Sequence, residues 1–244
     1  MGNLVRELEQ RAWYARYYAQ AGADRNDLCA NRGVLFQTLA SEASFIRAFW
    51  HIGVSSSDLR VLDVGCGSGA TWYQLFRLGV KPHNTVGIDV QSDRLKHIGE
   101  HYPQATVLFA DASQMPLADE SFDLVYESTL FATLSERSLR QRVASEMIRV
   151  CKPNGYLLLV DWRVRNPFDA GSGKLNRREL QQLFGAGTTT RLLAVARGAL
   201  IPPLGRLLSA YAEPFYFLIA GLLPALVGQV VYVLQKQSNV EALS

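Results

Sequence analysis

The sequence predicts an α/β fold, a parallel sheet with helices on both faces, preceded by a helical extension. Three observations carry this. Five short runs rich in aliphatic and β-branched residues, RVLDV (60–64), NTVGIDV (84–90), ATVLFA (105–110), FDLVY (122–126) and GYLLLVDW (155–162), alternate with helical segments. Right-handed crossovers between parallel strands impose that order. A glycine-rich stretch, Gly65-Cys66-Gly67-Ser68-Gly69, follows the first run directly. Finally, 48% hydrophobic and 19% charged residues over 244 positions supply a full core for one domain.

Along the chain, residues 3–20 read as an amphipathic helix with Leu4, Leu8 and Ala12 among its apolar positions, closed by the polar turn AGADRND. A second helix is expected at about 34–49, where Leu35, Leu39, Ala43, Ile46 and Phe49 approach 3.6-residue spacing. Helices are expected between the strands at about 70–79, 91–101 and 135–150. Pro153-Asn154-Gly155 reads as a turn that stops the last of these and launches the fifth strand. Beyond residue 165 the pattern loosens into a loop (NPFDAGSGK), a short helix (NRRELQQLF), a strand (TTTRLLAVA), a Pro-broken apolar stretch and a last strand (VGQVVYVLQ). The division expected is an extension or lid at 1–57 and one globular unit at 58–244.

Twenty-five Lys and Arg against 22 Asp and Glu leave a net charge of +3, without the basic stripe of a nucleic-acid binder. Cys29, Cys66 and Cys151 form no metal-ligand spacing and cannot all pair, which suits a reducing, cytoplasmic setting. The opening MGNLVRELEQ lacks the apolar run of a signal peptide.

Glycines between a strand and a helix let the backbone turn sharply and let a ligand approach where a Cβ would stand. Gly65, Gly67 and Ala70 also satisfy the dinucleotide fingerprint G-x-G-x-x-A, so a nicotinamide-dependent oxidoreductase stays open beside other nucleoside binders. Asp89, with Val90 at the tip of the second strand, suits the two hydroxyls of an unphosphorylated ribose. Asp63 ends the first strand, where it would repel a pyrophosphate and favour a cationic ligand such as an ammonium or sulfonium. Asp111, with Ala112 and the following Met115-Pro116-Leu117, suits an adenine, whose amino group donates to a carboxylate while its ring packs on apolar side chains.

Taken in order, VLDVGCGSG, GIDV, DAS-x-MPLADESFDLVY and RVCKPNGYLLLVD resemble the class I S-adenosylmethionine-dependent methyltransferases over about residues 58–165. The wider chain resembles those of bacterial surface-polysaccharide and small-molecule pathways. The resemblance implies a Rossmann-like sheet of seven strands, mostly parallel, with TTTRLLAVA sixth and VGQVVYVLQ seventh and antiparallel. It implies S-adenosyl-L-methionine as cofactor and S-adenosyl-L-homocysteine as product. The cofactor would lie against Asp63, Gly65, Cys66, Gly67, Asp89, Val90, Asp111, Ala112 and Glu127, with Glu127 toward the methionine moiety and Cys66 a small filler of space. A non-catalytic nucleoside-binding protein of the same fold is the further alternative.

The acceptor would lie over the ends of strands four and five, near Glu127, Ser128, Thr129, Asp161 and Arg163. Asp161 is the first candidate for base or acceptor orienter and Arg163 its companion. The competing reading makes Asp161 a structural carboxylate paired with Arg163 or Arg165. In the extension, Arg16, Tyr17, Tyr18 and Arg32 read as a lid, an arginine there holding the methionine carboxylate. His51 follows the second helix, within reach of the site; His83, His97 and His101 fall on crossovers. The expected reaction is methylation, at oxygen, of a small-molecule, sugar or lipid-linked acceptor.

Pro214–Leu234 contains no charged residue and is long enough to span a bilayer, but Pro214, Gly221, Pro224 and Gly228 interrupt it. The favoured reading is a lid over the acceptor pocket or core. The alternative is peripheral membrane contact through 198–226, with Leu200, Ile201, Leu204, Leu207 and Leu208 beside Arg197 and Arg206, which would put the protein at the inner membrane face.

Overall fold

The computed structural model describes residue 12, residues 26–165 and residues 172–238. The first expected helix, at 3–20, lies outside that range apart from residue 12. The strands are β1 (Val61–Val64), β2 (Thr85–Asp89), β3 (Thr106–Phe109), β4 (Phe122–Ser128), β5 (Cys151–Trp162), β6 (Thr190–Arg197) and β7 (Gln229–Lys236). They form one sheet in the order β3-β2-β1-β4-β5-β7-β6. β7 runs antiparallel to both neighbours, Leu159 opposite Tyr232 and Val195 opposite Tyr232, while the remaining pairs are parallel. The seven-stranded, Rossmann-like arrangement with an antiparallel last strand is thus present.

Both faces of the central strands are buried, so alternate residues feed two cores. On one face Val61, Leu124, Tyr126, Leu158 and Val231 pack under Phe45, Trp72, Leu75 and Ile98. Those covering residues come from α1 (Leu35–Phe49), α2 (Trp72–Arg77) and α3 (Ser92–His101). On the other face Leu62, Val125, Leu157, Leu159 and Tyr232 meet Phe131, Val143, Met147, Leu180 and Phe184. Those belong to α4 (Leu130–Thr133), α5 (Arg137–Val150) and α6 (Arg177–Phe184).

Pro153-Asn154-Gly155 turns out to lie inside β5. Phe122 pairs with Cys151 and Leu124 with Tyr156, so the extra residues are taken up as a bulge, with Asn154 at φ +61°. The one-turn α4 was not expected; it fills the gap between the end of β4 and α5.

The Pro-broken stretch forms α7 (Pro202–Tyr211), α8 (Glu213–Leu222) and a short turn at Pro224–Leu226. Its prolines stand in the first turns, where no intrahelical N–H is needed. A small core of Ala40, Leu200, Leu208, Tyr216 and Val227 ties this crossover to α1. Tyr216 Oη pairs with Gln37 and accepts the Leu200 N–H at 3.2 Å. Among the described residues no helix is long and apolar enough to cross a membrane.

Candidate functional site

β1 ends in a loop that only glycine builds without strain: Gly65, Gly67 and Gly69 have φ of +73°, +56° and +72°. Two anchors hold it on β2. The Gly65 and Cys66 N–H groups both donate to Ile88 O, at 2.8 and 3.0 Å. Asp89 does the rest, its Oδ2 accepting from Gly67 N–H at 2.9 Å and its Oδ1 from Gln91 N–H at 2.8 Å. Burial raises the Asp89 pKa above the ordinary carboxylate range, and those two N–H donors oppose the rise.

Behind the loop, Asp63 is 1% exposed. Its Oδ2 accepts from Trp72 Nε1 at 2.7 Å, while Oδ1 has no partner. Burial pushes the group from 3.8 up to about 7, and the nearby Asp89 charge adds to the rise. Cys66 is buried, and the same desolvation drives its thiol well up, which keeps it from acting as a nucleophile.

At the tip of β4, Glu127 is fully buried, with Oε2 accepting Leu130 N–H at 2.8 Å and Oε1 unpartnered. Burial and the Asp161 charge raise its pKa well above the usual range. Asp161 is also fully buried, and its pKa is raised, chiefly by burial. Both of its oxygens are engaged, Oδ2 by Ala132 N–H at 3.0 Å and Oδ1 by Trp162 N–H at 2.6 Å. Asp161 therefore fixes the turn that follows β4.

The guanidinium beside this pair is Arg140, also buried. It donates to Phe131 O at 2.8 Å, Lys174 O at 2.5 Å and Glu179 Oε2 at 3.0 Å. Arg163 points elsewhere, donating to the carbonyls of Pro224, Ala225 and Val227 and so pinning the end of the crossover. An Asp161–Arg163 pair is absent among the described residues.

Thr129 joins β4 to α4 with φ +61°, a left-handed conformation that costs a β-branched residue on the order of 1–3 kcal/mol. Its N–H is tied to Val160 O at 2.7 Å. This bend sets Leu130 across from Gly65, where a Cβ on the glycine would stand 3.0 Å from Leu130 Cδ1.

The cleft formed here is lined by Gly65, Asp89, Val90, Asp111 and Ala112, all predicted, together with Ser128 and Thr129. Asp63, Cys66, Gly67 and Glu127 form the buried layer around it rather than its surface. Gln91 and the apolar wall of Leu130, Leu134, Leu139 and Val143 were missed. Gln91 reaches the cleft through its bond to Asp89 two residues before it, whereas the leucines and Val143 belong to no short motif and come there only as the α4–α5 region packs. Arg32 sits away from it, 3.9 Å from Glu213 at the start of α8. Tyr17 and Tyr18 lie outside the described residues. His51 lines a different cavity.

Residues 62–159 match the family described as a methyltransferase domain. A sterol 24-C-methyltransferase of Yarrowia lipolytica is 29% identical over 180 residues, 68% of this chain and 42% of that one. A phthiotriol/phenolphthiotriol dimycocerosates methyltransferase of Mycobacterium ulcerans is 32% identical over 132 residues, 53% of this chain and 47% of that one. The chain thus spans less than half the length of these curated relatives. Among solved structures, the Burkholderia thailandensis 1,6-didemethyltoxoflavin-N1-methyltransferase with bound 1,6-didemethyltoxoflavin and S-adenosylhomocysteine shares the fold. The TM-score is 0.60 at 12% identity, over 95% of this chain and 91% of that one.

Proposed function

From the premise that this chain carries a class I S-adenosylmethionine-dependent methyltransferase domain, we propose that it methylates a hydrophobic small-molecule or lipid-linked acceptor, at oxygen. The observation that carries the cofactor reading is electrostatic. Asp63, Asp89, Glu127 and Asp161 are all buried around the glycine loop and the tip of β4, and Arg140 is the buried guanidinium beside them. Asp63 Oδ1 and Glu127 Oε1 have no hydrogen-bond partner. Burial outweighs the Arg140 charge on Glu127 and Asp161 and the Arg94 charge on Asp89, so these acids are held toward their neutral forms. A ligand bearing an ammonium and a sulfonium supplies the missing positive charge, whereas a pyrophosphate would add to the negative. The donor set fits S-adenosylmethionine for that reason.

When bound, S-adenosylmethionine supplies an electrophilic methyl group open to in-line displacement. The chain's own part is positioning, which can carry much of such a rate. Asp89 clamps the loop and presents its carboxylate to the cleft as a hydroxyl acceptor. Asp111 and Ala112 border the adenine side, and Glu127 and Asp63 attract the cationic end. Asp161 acts as a positioning residue, holding the Ala132 N–H so that α4 closes the cleft. Arg163 locks the crossover onto the end of β5, where Ile201 and Trp162 crowd Gly228. That apolar crossover supports a hydrophobic acceptor. The oxygen reading follows from the resemblance to the methyltransferase family, and the identity of the product bond decides it.

Titration calorimetry tests the premise. S-adenosylmethionine and S-adenosylhomocysteine should bind, and Asp89→Ala should weaken both at least about tenfold, or 1.4 kcal/mol. Transfer of labelled methyl to an organic-extractable acceptor, with the product bond identified as O–CH3 or C–CH3, tests the rest. Binding of neither ligand refutes the cofactor reading; a C–CH3 product refutes the oxygen reading.

A further inference from the structure

The crossover between β6 and β7 exposes more apolar surface than its packing uses. In α8, EPFYFLIAGL, Tyr216 is the buried residue. Phe215, Phe217, Leu218 and Leu222 are 49–70% exposed, and Leu207 and Tyr211 of α7 extend the apolar surface. Scattered apolar side chains are ordinary on a protein surface, but a group on two consecutive helices marks an interaction site.

Beside α8 lies a cavity of about 580 Å³ between α1, the end of β6 and the crossover. Phe217, Ala220 and Gly221 line it from α8, and Arg47, His51 and Arg197 from the opposite side. Arg47 Nη2 donates to the backbone carbonyl of Arg197 at 2.9 Å. Among the described residues, the ion pairs leave both guanidinium groups without a carboxylate. An apolar helix flanked by unpaired arginines is complementary to a surface that is apolar below and anionic above. A second copy seated through a twofold axis would bring its own arginines to the same seam, where the acid of α8, Glu213, already lies 3.9 Å from Arg32.

We propose that this face docks on a bilayer containing anionic phospholipid, α8 entering the boundary between headgroups and acyl chains while Arg47 and Arg197 meet the phosphates. β6 runs parallel to β5 and β1, so the crossover leaves the sheet at the same edge as the glycine loop. The proposal stands independently of the methyl-transfer reading, because its test measures no catalysis.

The test is co-sedimentation of the full chain with phosphatidylcholine vesicles, with and without phosphatidylglycerol. Partition into the anionic vesicles is expected, reduced at least about tenfold by Phe215→Ser/Leu218→Ser/Leu222→Ser. Arg47→Gln/Arg197→Gln should weaken it about tenfold or more at low salt, with the difference shrinking at high salt. These side chains are largely exposed, so unfolding midpoints should match the parent; Leu222→Ser alone reads the same loss in smaller measure. No sedimentation with anionic vesicles, equal sedimentation with neutral ones, or unchanged partition of the variants overturns the proposal. So does a dimer, seen by light scattering, that the serine variant returns to monomer. Saturable binding of monomeric dodecyl phosphate without vesicle partition overturns it as well, in favour of a soluble ligand.

Discussion

Replacing Asp63 by Asn should make the cofactor-free protein more stable at neutral pH and make its stability less dependent on pH. The carboxyl is 1% exposed, with one oxygen on the Trp72 indole and the other unpartnered. Its rise from 3.8 to about 7 corresponds to up to about 4 kcal/mol against the ionised form. Below pH 3.8 the group is protonated in the folded and the unfolded chain alike. Between 3.8 and about 7 the unfolded chain has released the proton and the folded chain keeps it. Stability therefore falls as pH rises, by up to about 1.4 kcal/mol per pH unit, and the loss is complete above about 7.

An asparagine keeps the acceptor for Trp72 Nε1 and has no proton to lose. Urea unfolding without cofactor, from pH 4 to pH 8, should show the advantage of Asp63→Asn growing across that window toward about 4 kcal/mol. Removing the Asp63 charge also relieves part of the rise on Glu127, which adds to the stability gained at the upper end of the window. S-adenosylmethionine should bind the variant at least about tenfold more weakly, because its positive charge loses an anionic partner. A difference that stays constant with pH, or an unchanged affinity, would refute the electrostatic reading of this acid.

Two further substitutions probe the frame around the site. Gly87→Ala places a Cβ 2.7 Å from Trp72 Cζ2 and 2.8 Å from Cys66 Sγ; it should lower stability by about 1–3 kcal/mol, and an unmoved urea midpoint would show that the loop packs less tightly than described. Arg140→Met removes the donors to Phe131 O and Lys174 O and leaves Glu179 without its guanidinium. It should cost about 2–5 kcal/mol in urea unfolding, and a cost under about 1 kcal/mol would count against the buried cation as the anchor of α4.

Much of the site was legible because its residues sit at strand tips, and strand tips follow from local pattern. Asp63 stands one residue before the end of β1, Asp89 ends β2 and Asp111 follows β3, so naming the strand also placed the acid. Gly65 and Gly67 were legible for a similar reason, since no other residue tolerates those φ values without strain. Asp161 shows where such reasoning stops. It falls at the strand end where it was expected, but nothing nearby in the chain says that Ala132, 29 residues away, would occupy one of its oxygens.

By itself the sequence determined the order of strands and helices, the glycine turn and the ring of acids around it, since continuous aliphatic runs and positive φ are properties of a few adjacent residues. Tertiary structure alone decided which acids lost their counter-charge, that Thr129 would be bent into the left-handed region, and that Arg163 would pin the crossover instead of meeting Asp161. It also brought Arg47 and Arg197, 150 residues apart, to one cavity beside an unpartnered apolar helix. Burial and charge pairing depend on which distant surfaces meet, and that is settled only when the sheet closes and its crossovers pack.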